Sequence, residues 1–559
     1  MNKKISIYQL LPRLFGNNKK KPIINGDIHE NGCGEFDDIT EKALKEIKNL
    51  GVTHIWYTGI LRHATTTNYQ GLPAQDSCIV KGKAGSPYAI TDYYDVMPDL
   101  AVEVDKRMQE FDNLLNRTRK QGLKSIIDFI PNHVSRDYKS LKKPKKTPDL
   151  ASGDDSSKHF DNQNNFYYLP NESLKLNFCE NQKYEEFPAK VSGNDCFHPQ
   201  PNINDWYETI KLNYGVNVQD NHSKHFSPTP NTWFRMLEIL QFWTQKGVDG
   251  FRCDMVEMVP VEFWEWIIPQ IKEINPEIIF IGEVYQAHLY KSYIKQGKFD
   301  YLYDKVGLYD QLKGIIRQEK PASSISDIWK SLNGLDNYML RFLENHDEQR
   351  IPDTNFAGVA KKAIPAMLLS ASMNQGPIMT YFGQELGENN TAQSGFSGND
   401  GRTTIFDYWT IPSIQRWRGK TAYSGNALFT QEKKLRNEYR KILNYCLKSV
   451  NISQGNFYDL MWANNNNNQF FHNYIYAYLR CYQGNATLFI LNFNEKSFEQ
   501  KIIIPDHAFQ FCNKKTNYLK DISFINTFTH EEIRLNYTKV ISDGLEVSIP
   551  SYGYVIFEF

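Results

Sequence analysis

From residue 5 to about residue 390, short apolar runs alternate with amphipathic helical segments. That alternation limits the folds open to the chain more than any other feature. Strand-like runs stand at 6–10, 54–58, 125–131, 250–254, 278–284, 338–343 and 378–382; helical periodicity stands at 38–50, 104–121, 232–246 and 261–274. Runs this apolar, interleaved with helices, predict a parallel sheet buried on both faces. Seven or eight such repeats suit an α/β fold of the (β/α)8 TIM barrel kind. A doubly wound open sheet fits less well, because no glycine-rich phosphate loop follows the first run.

The connection from 133 to 231 is too long for a plain loop. It holds almost a hundred residues rich in Asn, Asp, Pro and Lys, which predicts a functional loop or a small subdomain. Its basic stretch KSLKKPKK (139–146) reads as solvated loop. After about residue 425 the texture changes. A helical segment at 431–449 leads into runs of period two (NYIYAYLRCY, ATLFILNF, KIIIP and LEVSIPSYGYVIFEF), which predict an antiparallel β domain.

Charge and composition exclude several function classes. Lys plus Arg and Asp plus Glu both number 64 in the 559 residues, so no global field recruits nucleic acid or an anionic membrane. No run of 18 apolar residues is present, so no membrane-spanning helix is expected. The opening MNKKISIYQLLPRLFG is broken by Gln9, Pro12 and Arg13 and lacks a small-residue cleavage site. It reads as a first strand rather than an export signal, and the protein is expected in the cytoplasm. The eight cysteines show no paired metal spacing and are expected as reduced thiols. Aromatic residues at 14% without excess charge fit a neutral ligand with flat apolar faces, of which sugars are one class.

In a parallel barrel, chemistry gathers at the C-terminal ends of the strands. Those ends offer Asp128, Asn132 and His133; Arg252 and Asp254; Glu283; and Glu344, His346 and Asp347. Each alone has a bland reading as an ion pair, a helix cap or a satisfied core histidine. Their recurrence around one mouth is harder to explain that way. Arg252 and Asp254 are two residues apart in a strand, face the same side, and the guanidinium is expected to keep the aspartate ionised. Glu283 has no cation near it in sequence, so desolvation is expected to raise its pKa and suit it to general acid work. Two carboxyls with pKa values pushed apart are the equipment of a retaining glycosidase.

Four blocks carry a family resemblance: DFIPNH (128–133), GFRCDMVEM (250–258), GEV (282–284) and FLENHD (342–347), supported by SPYAITDYYDV (86–96) and TYFGQELG (380–387). In order and spacing they resemble the signature regions of the α-amylase family of glycoside hydrolases. The resemblance implies a barrel over 1–133 and 231–423, a subdomain inserted after the third strand at 134–230, and a C-terminal antiparallel β-sandwich at 424–559. It also implies Asp254 as nucleophile, Glu283 as general acid/base and Asp347 as transition-state stabiliser. Arg252, His133 and His346 correspond to subsite residues, and Tyr88 to the aromatic under the reacting sugar. The expected activity is retaining cleavage of α-1,4 bonds in maltooligosaccharides or related α-glucans. The alternatives are a 4-α-glucanotransferase and a glycan-binding protein without catalysis. No cofactor is expected to take part in the chemistry.

Two departures bear on this reading. Many α-amylases carry Lys and His shortly after the nucleophile, where Glu257 and Met258 stand here. The resemblance also implies a structural calcium ion on Asn132, yet Asn202 in QPNINDW (200–206) replaces an aspartate common at that position, which weakens a hard-cation site.

Overall fold

The computed structural model describes residues 4–389, 393–420, 422–514 and 520–559; the first three residues of the N-terminal run lie outside these. The apolar runs become eight parallel strands: β1 (Ser6–Leu10), β2 (His54–Tyr57), β3 (Lys124–Phe129), β4 (Gly250–Cys253), β5 (Ile279–Gly282), β6 (Tyr301–Tyr303), β7 (Met339–Leu340) and β8 (Ile378–Tyr381). Their order follows the chain, and β8 pairs with β1. A parallel bridge from Arg341 to Ile378 joins β7 to β8 and closes the barrel. The TIM barrel read from the alternation is the observed fold.

Helices pack outside for the reason their periodicity gives. In α1 (Glu41–Gly51) the Thr40 side chain accepts from the Ala43 N–H at the N-terminus, and Ala43, Leu44, Ile47 and Leu50 form one buried stripe. Burying each Leu or Ile there stabilises by roughly 1.5–3 kcal/mol. The helices α2 (Arg107–Lys120), α3 (Asn231–Gln245) and α4 (Val261–Ile274) cover the next strands in the same way.

The long connection after β3 builds its own small structure. His133–Ser135 pairs antiparallel with Thr209–Lys211, and Tyr168–Leu169 pairs with Ala189–Lys190. A second core forms there around Tyr167, Leu169, Leu174, Leu176 and Val191. Toward the C-terminus, α5 (Thr430–Lys448) leads into a six-stranded antiparallel sheet, with a separate ribbon pairing Phe498–Ile502 with Leu545–Ile549.

The expectation of reduced thiols is wrong for four cysteines. Disulfides join Cys78 to Cys179 and Cys481 to Cys512, across 101 and 31 residues of sequence. Separations that long carry no spacing motif; the fold brings the pairs together. Disulfides form and persist in oxidising surroundings, so the cytoplasmic expectation draws no support from these cysteines. Among the described residues, no helix is long and apolar enough to cross a membrane.

Candidate active site

Arg252 is 0% exposed and sits at the centre of the barrel mouth. Its Nη1 donates to Asp254 Oδ1 at 2.6 Å and its Nε to the Tyr303 hydroxyl at 3.1 Å. Its Nη2 lies 2.7 Å from Glu283 Oε1, an ion-pair contact without hydrogen-bond alignment. The rings of Trp56, Tyr88 and Tyr303 surround the guanidinium, with centroids 5.3, 5.5 and 5.4 Å away. Two carboxylates and three ring faces together offset the desolvation of a fully buried cation.

The backbone after β4 ties the two carboxyls together. Met255 is in the left-handed region at φ 43° and ψ 47°, uncommon for a residue with a side chain and frequent at functional sites. The reversal sends its N–H to Glu283 Oε2 at 3.0 Å. The Tyr285 hydroxyl donates to Glu283 Oε1 at 2.7 Å. Cys253 and Gly282 are register partners across β4 and β5, so Asp254 and Glu283 leave the barrel side by side.

His346 joins the third carboxylate to the same cluster. Its Nε2 lies 3.0 Å from Asp347 Oδ2 and 2.5 Å from the Tyr88 hydroxyl, and Gln9 Nε2 lies 2.8 Å from its Nδ1. Tyr88 stacks on the His346 ring at 5.2 Å. The chain reaches Tyr88 through Gly85, at φ +79°, where a Cβ would meet the Ala64 carbonyl oxygen at 1.7 Å.

Burial and neighbouring charge push the three carboxyls apart. Burial, opposed by Arg252 and reinforced by Asp254 and Asp347, raises Glu283 to about 7. Burial also raises Asp254, and Arg252 only moderates the rise. The expectation that Arg252 would hold Asp254 low is therefore corrected: desolvation at the barrel mouth outweighs the ion pair. Glu283, which has no cation near it in sequence, shares that same Arg252, brought to it from the neighbouring strand. Asp347 keeps 39% of its side chain exposed. What desolvation remains would raise it, but His346 and the Arg252 and Arg402 guanidiniums bring it down to about 2. Burial, with the Lys211 and Lys81 ammonium groups, lowers His133 to about 3, so its ring is neutral at ordinary pH.

Six of the eight residues expected at the site line one cavity of about 230 Å³: Tyr88, His133, Asp254, Glu283, His346 and Asp347. Arg252 braces the cavity from behind. Sequence reasoning missed Lys81, Trp206, Glu208 and Tyr285, which also line it. Trp206 meets the His133 ring at 5.1 Å, and Lys81 pairs with Glu208 at 3.0 Å. Trp206 closes the block QPNINDW, whose aromatic was the available signal. Glu344 is structural: it accepts from Arg350 Nη1 at 2.8 Å and the Ile351 N–H at 2.6 Å. Asp128 likewise accepts from Trp56 Nε1 and the Gly59 N–H.

Asn132 faces a different partner. Its Oδ1 accepts from Lys211 Nζ at 2.9 Å, and Lys211 also pairs with Asp195 Oδ1 at 2.5 Å. Lys211 stands opposite His133 in the antiparallel pair that joins the inserted segment to the barrel. Asn202 Oδ1 accepts from the Asn204 N–H in an exposed turn. Among the described residues, no group of three or more His, Cys, Asp and Glu side chains could hold a metal ion. An ammonium group already on Asn132 Oδ1 does not fit a calcium ion there, which needs six or more oxygen ligands.

Comparison with known proteins supplies the wider setting. A family model described as "Alpha amylase, catalytic domain" matches residues 9–445. "Alpha-amylase 3" of Dictyoglomus thermophilum is 24% identical over 448 residues, which cover 76% of this chain and 74% of that protein. "Glucan 1,6-alpha-glucosidase" of Streptococcus pneumoniae is 22% identical over 426 residues, covering 69% of this chain and 65% of that protein. A crystal structure of the α-amylase of Geobacillus thermoleovorans in complex with acarbose superposes with a TM-score of 0.63 at 18% identity, covering 99% of this chain and 98% of that one.

Proposed function

Because this chain belongs to the α-amylase family of glycosidases, enzymes that act on α-glucans, we propose that it is a retaining hydrolase of α-1,4-glucosidic bonds in maltooligosaccharides. The observation that carries this reading is the single guanidinium touching both Asp254 and Glu283, at 2.6 and 2.7 Å. Such a bridge fits the close spacing of about 5–5.5 Å that a retaining pair needs, rather than the wider gap that admits an inverting water.

In this reading the Asp254 carboxylate attacks the anomeric carbon while Glu283 gives its proton to the departing glycosidic oxygen. The C–O bond to the leaving sugar breaks and a β-glycosyl ester forms on Asp254. Glu283, now a carboxylate, takes a proton from water, whose oxygen displaces Asp254 and restores the α configuration. Asp347, ionised at any working pH, holds hydroxyls of the distorted ring. Tyr88 offers an aromatic face below it, and His133 and His346 hydrogen-bond its edges. Incubation with maltoheptaose is expected to give shorter maltooligosaccharides with newly formed α anomers. β-anomeric products, or no turnover of any α-glucan, would sink the proposal.

A second reading, transglycosylation, draws support from the acceptor side. Glu257 and Met258 replace the Lys and His common there, and the aromatic Tyr285 lines the cavity instead. Products longer than maltoheptaose with little net reducing-end release would favour a 4-α-glucanotransferase.

The proposal extends to the cation between barrel and inserted segment. Lys211 bridges Asn132 and Asp195 where the family resemblance implied calcium. A chelator such as EDTA is therefore expected to leave the melting temperature unchanged. Lys211→Met, which strands the buried Asn132 oxygen, is expected to cost about 1–3 kcal/mol of stability. Marked destabilisation by chelator, or a neutral Lys211→Met, contradicts this assignment.

A further inference from the structure

Glu257 does not project into the cavity as a substrate ligand. It sits in the turn Val256–Met258 just after β4, and its Oε2 accepts from the N–H groups of both Tyr285 and Gln286, each at 3.0 Å. One carboxylate thus fastens the segment leaving β5 to the segment leaving β4. With the backbone fixed there, the half-buried Tyr285 side chain turns back and its hydroxyl reaches Glu283 Oε1 at 2.7 Å. We propose that Tyr285 is a positioning residue for Glu283, and that Glu257 is the strut that holds Tyr285 in place.

The oxygen count explains what the arrangement does. Each carboxylate oxygen has about two acceptor positions. Oε1 accepts from Tyr285 and has the Arg252 cation 2.7 Å away, which disfavours a proton there, whereas among the described residues Oε2 receives only the Met255 N–H. Oε2 is thus the oxygen with room for a transferable proton, and Tyr285 keeps that proton off the other. A phenol that donates to a carboxylate also favours its ionised form, so Tyr285 lowers the pH at which Glu283 deprotonates. The other titratable or charged groups facing Glu283 are Arg252 and Asp254 from the β4 side, Tyr303 from β6 and Asp347 from beyond β7. Of the uncharged donors to Glu283, Tyr285 is the side chain, so its effect is the one a conservative replacement can isolate.

This inference rests on the reading of Glu283 as the acid/base, and its test is built to separate the two. The protonation of Glu283 is followed as the infrared carboxyl C=O band that Glu283→Gln removes, a readout that needs no turnover. Tyr285→Phe keeps the ring and deletes the donor. Its midpoint is expected to rise by about one pH unit, as loss of a hydrogen bond to a charged group implies. The alkaline limb of kcat/KM, where the general acid loses its proton, is expected to move up in step. Glu257→Ala is expected to shift both in the same direction. Glu257→Gln, whose amide oxygen still accepts from the two N–H groups, is expected to restore the parent midpoint. A folded Tyr285→Phe protein with an unmoved midpoint overturns the inference while leaving hydrolysis intact. A moved midpoint in a protein that turns over no α-glucan upholds the positioning role and overturns the proposed function.

Discussion

Asp254→Asn is expected to lower kcat on maltooligosaccharides by about four orders of magnitude or more, as removal of a covalent nucleophile does. The substitution is nearly isosteric, and the asparagine oxygen can still accept from Arg252 Nη1, so the fold is expected to survive. What disappears is the anion that forms the glycosyl ester. Asp254 also raises Glu283 by like-charge repulsion. Its neutralisation therefore lets Glu283 ionise at lower pH, and any residual activity should fall off earlier as pH rises. A sharper test uses Asp254→Ala, an aryl α-maltoside and azide. Azide entering from the vacated face would give a β-glycosyl azide with release of the phenol. Activity within tenfold of the parent in Asp254→Asn would refute the nucleophile assignment.

Arg252→Met is expected to destabilise the protein by about 3–5 kcal/mol near neutral pH, because it leaves two buried carboxylates without their cation. The penalty should depend on pH with a definite sign. Burial already raises Asp254 and Glu283 above their ordinary values. Without Arg252, which lowers both, they rise further. Groups raised in the folded state bind more protons there than in the unfolded chain, so stability is lost as pH increases through their folded pKa values. The deficit should therefore shrink on acidification, as the carboxyls become neutral. Urea midpoints at about pH 7.5 and about pH 4.5 measure this. A small loss that does not vary with pH would mean that the aromatic surround, not charge, is what Arg252 satisfies.

Seven of the eight barrel strands were legible because each carries an apolar run bounded by polar residues. The eighth, Tyr301–Tyr303, is three residues between two aspartates and offers no run to read. The carboxylates were legible for a related reason: a parallel barrel fixes where strand ends go, so acidic residues at those ends must converge. What could not be read is contact between strands. Arg252 looked like a partner of Asp254 alone because neighbours in sequence are visible and neighbours in a sheet are not. The same blindness hid Lys211 on Asn132 and both disulfides. Tyr285 is a different kind of miss. It stands two residues after Glu283, the same spacing as Arg252 and Asp254, but beyond the end of the strand, where strand alternation no longer says which side chains face together.

The left-handed turn at Met255 has a mechanical consequence. Asp254 carries its carboxyl on a side chain, while the next residue grips the other carboxyl through its amide. No flexible segment separates the two holds. A shift of β4 that moves Asp254 also moves the Met255 N–H and draws on Glu283, so the gap that a sugar's anomeric carbon must fit is coupled across the two strands. The two jaws of the site stand on neighbouring strands, and that single amide is the pin that couples them.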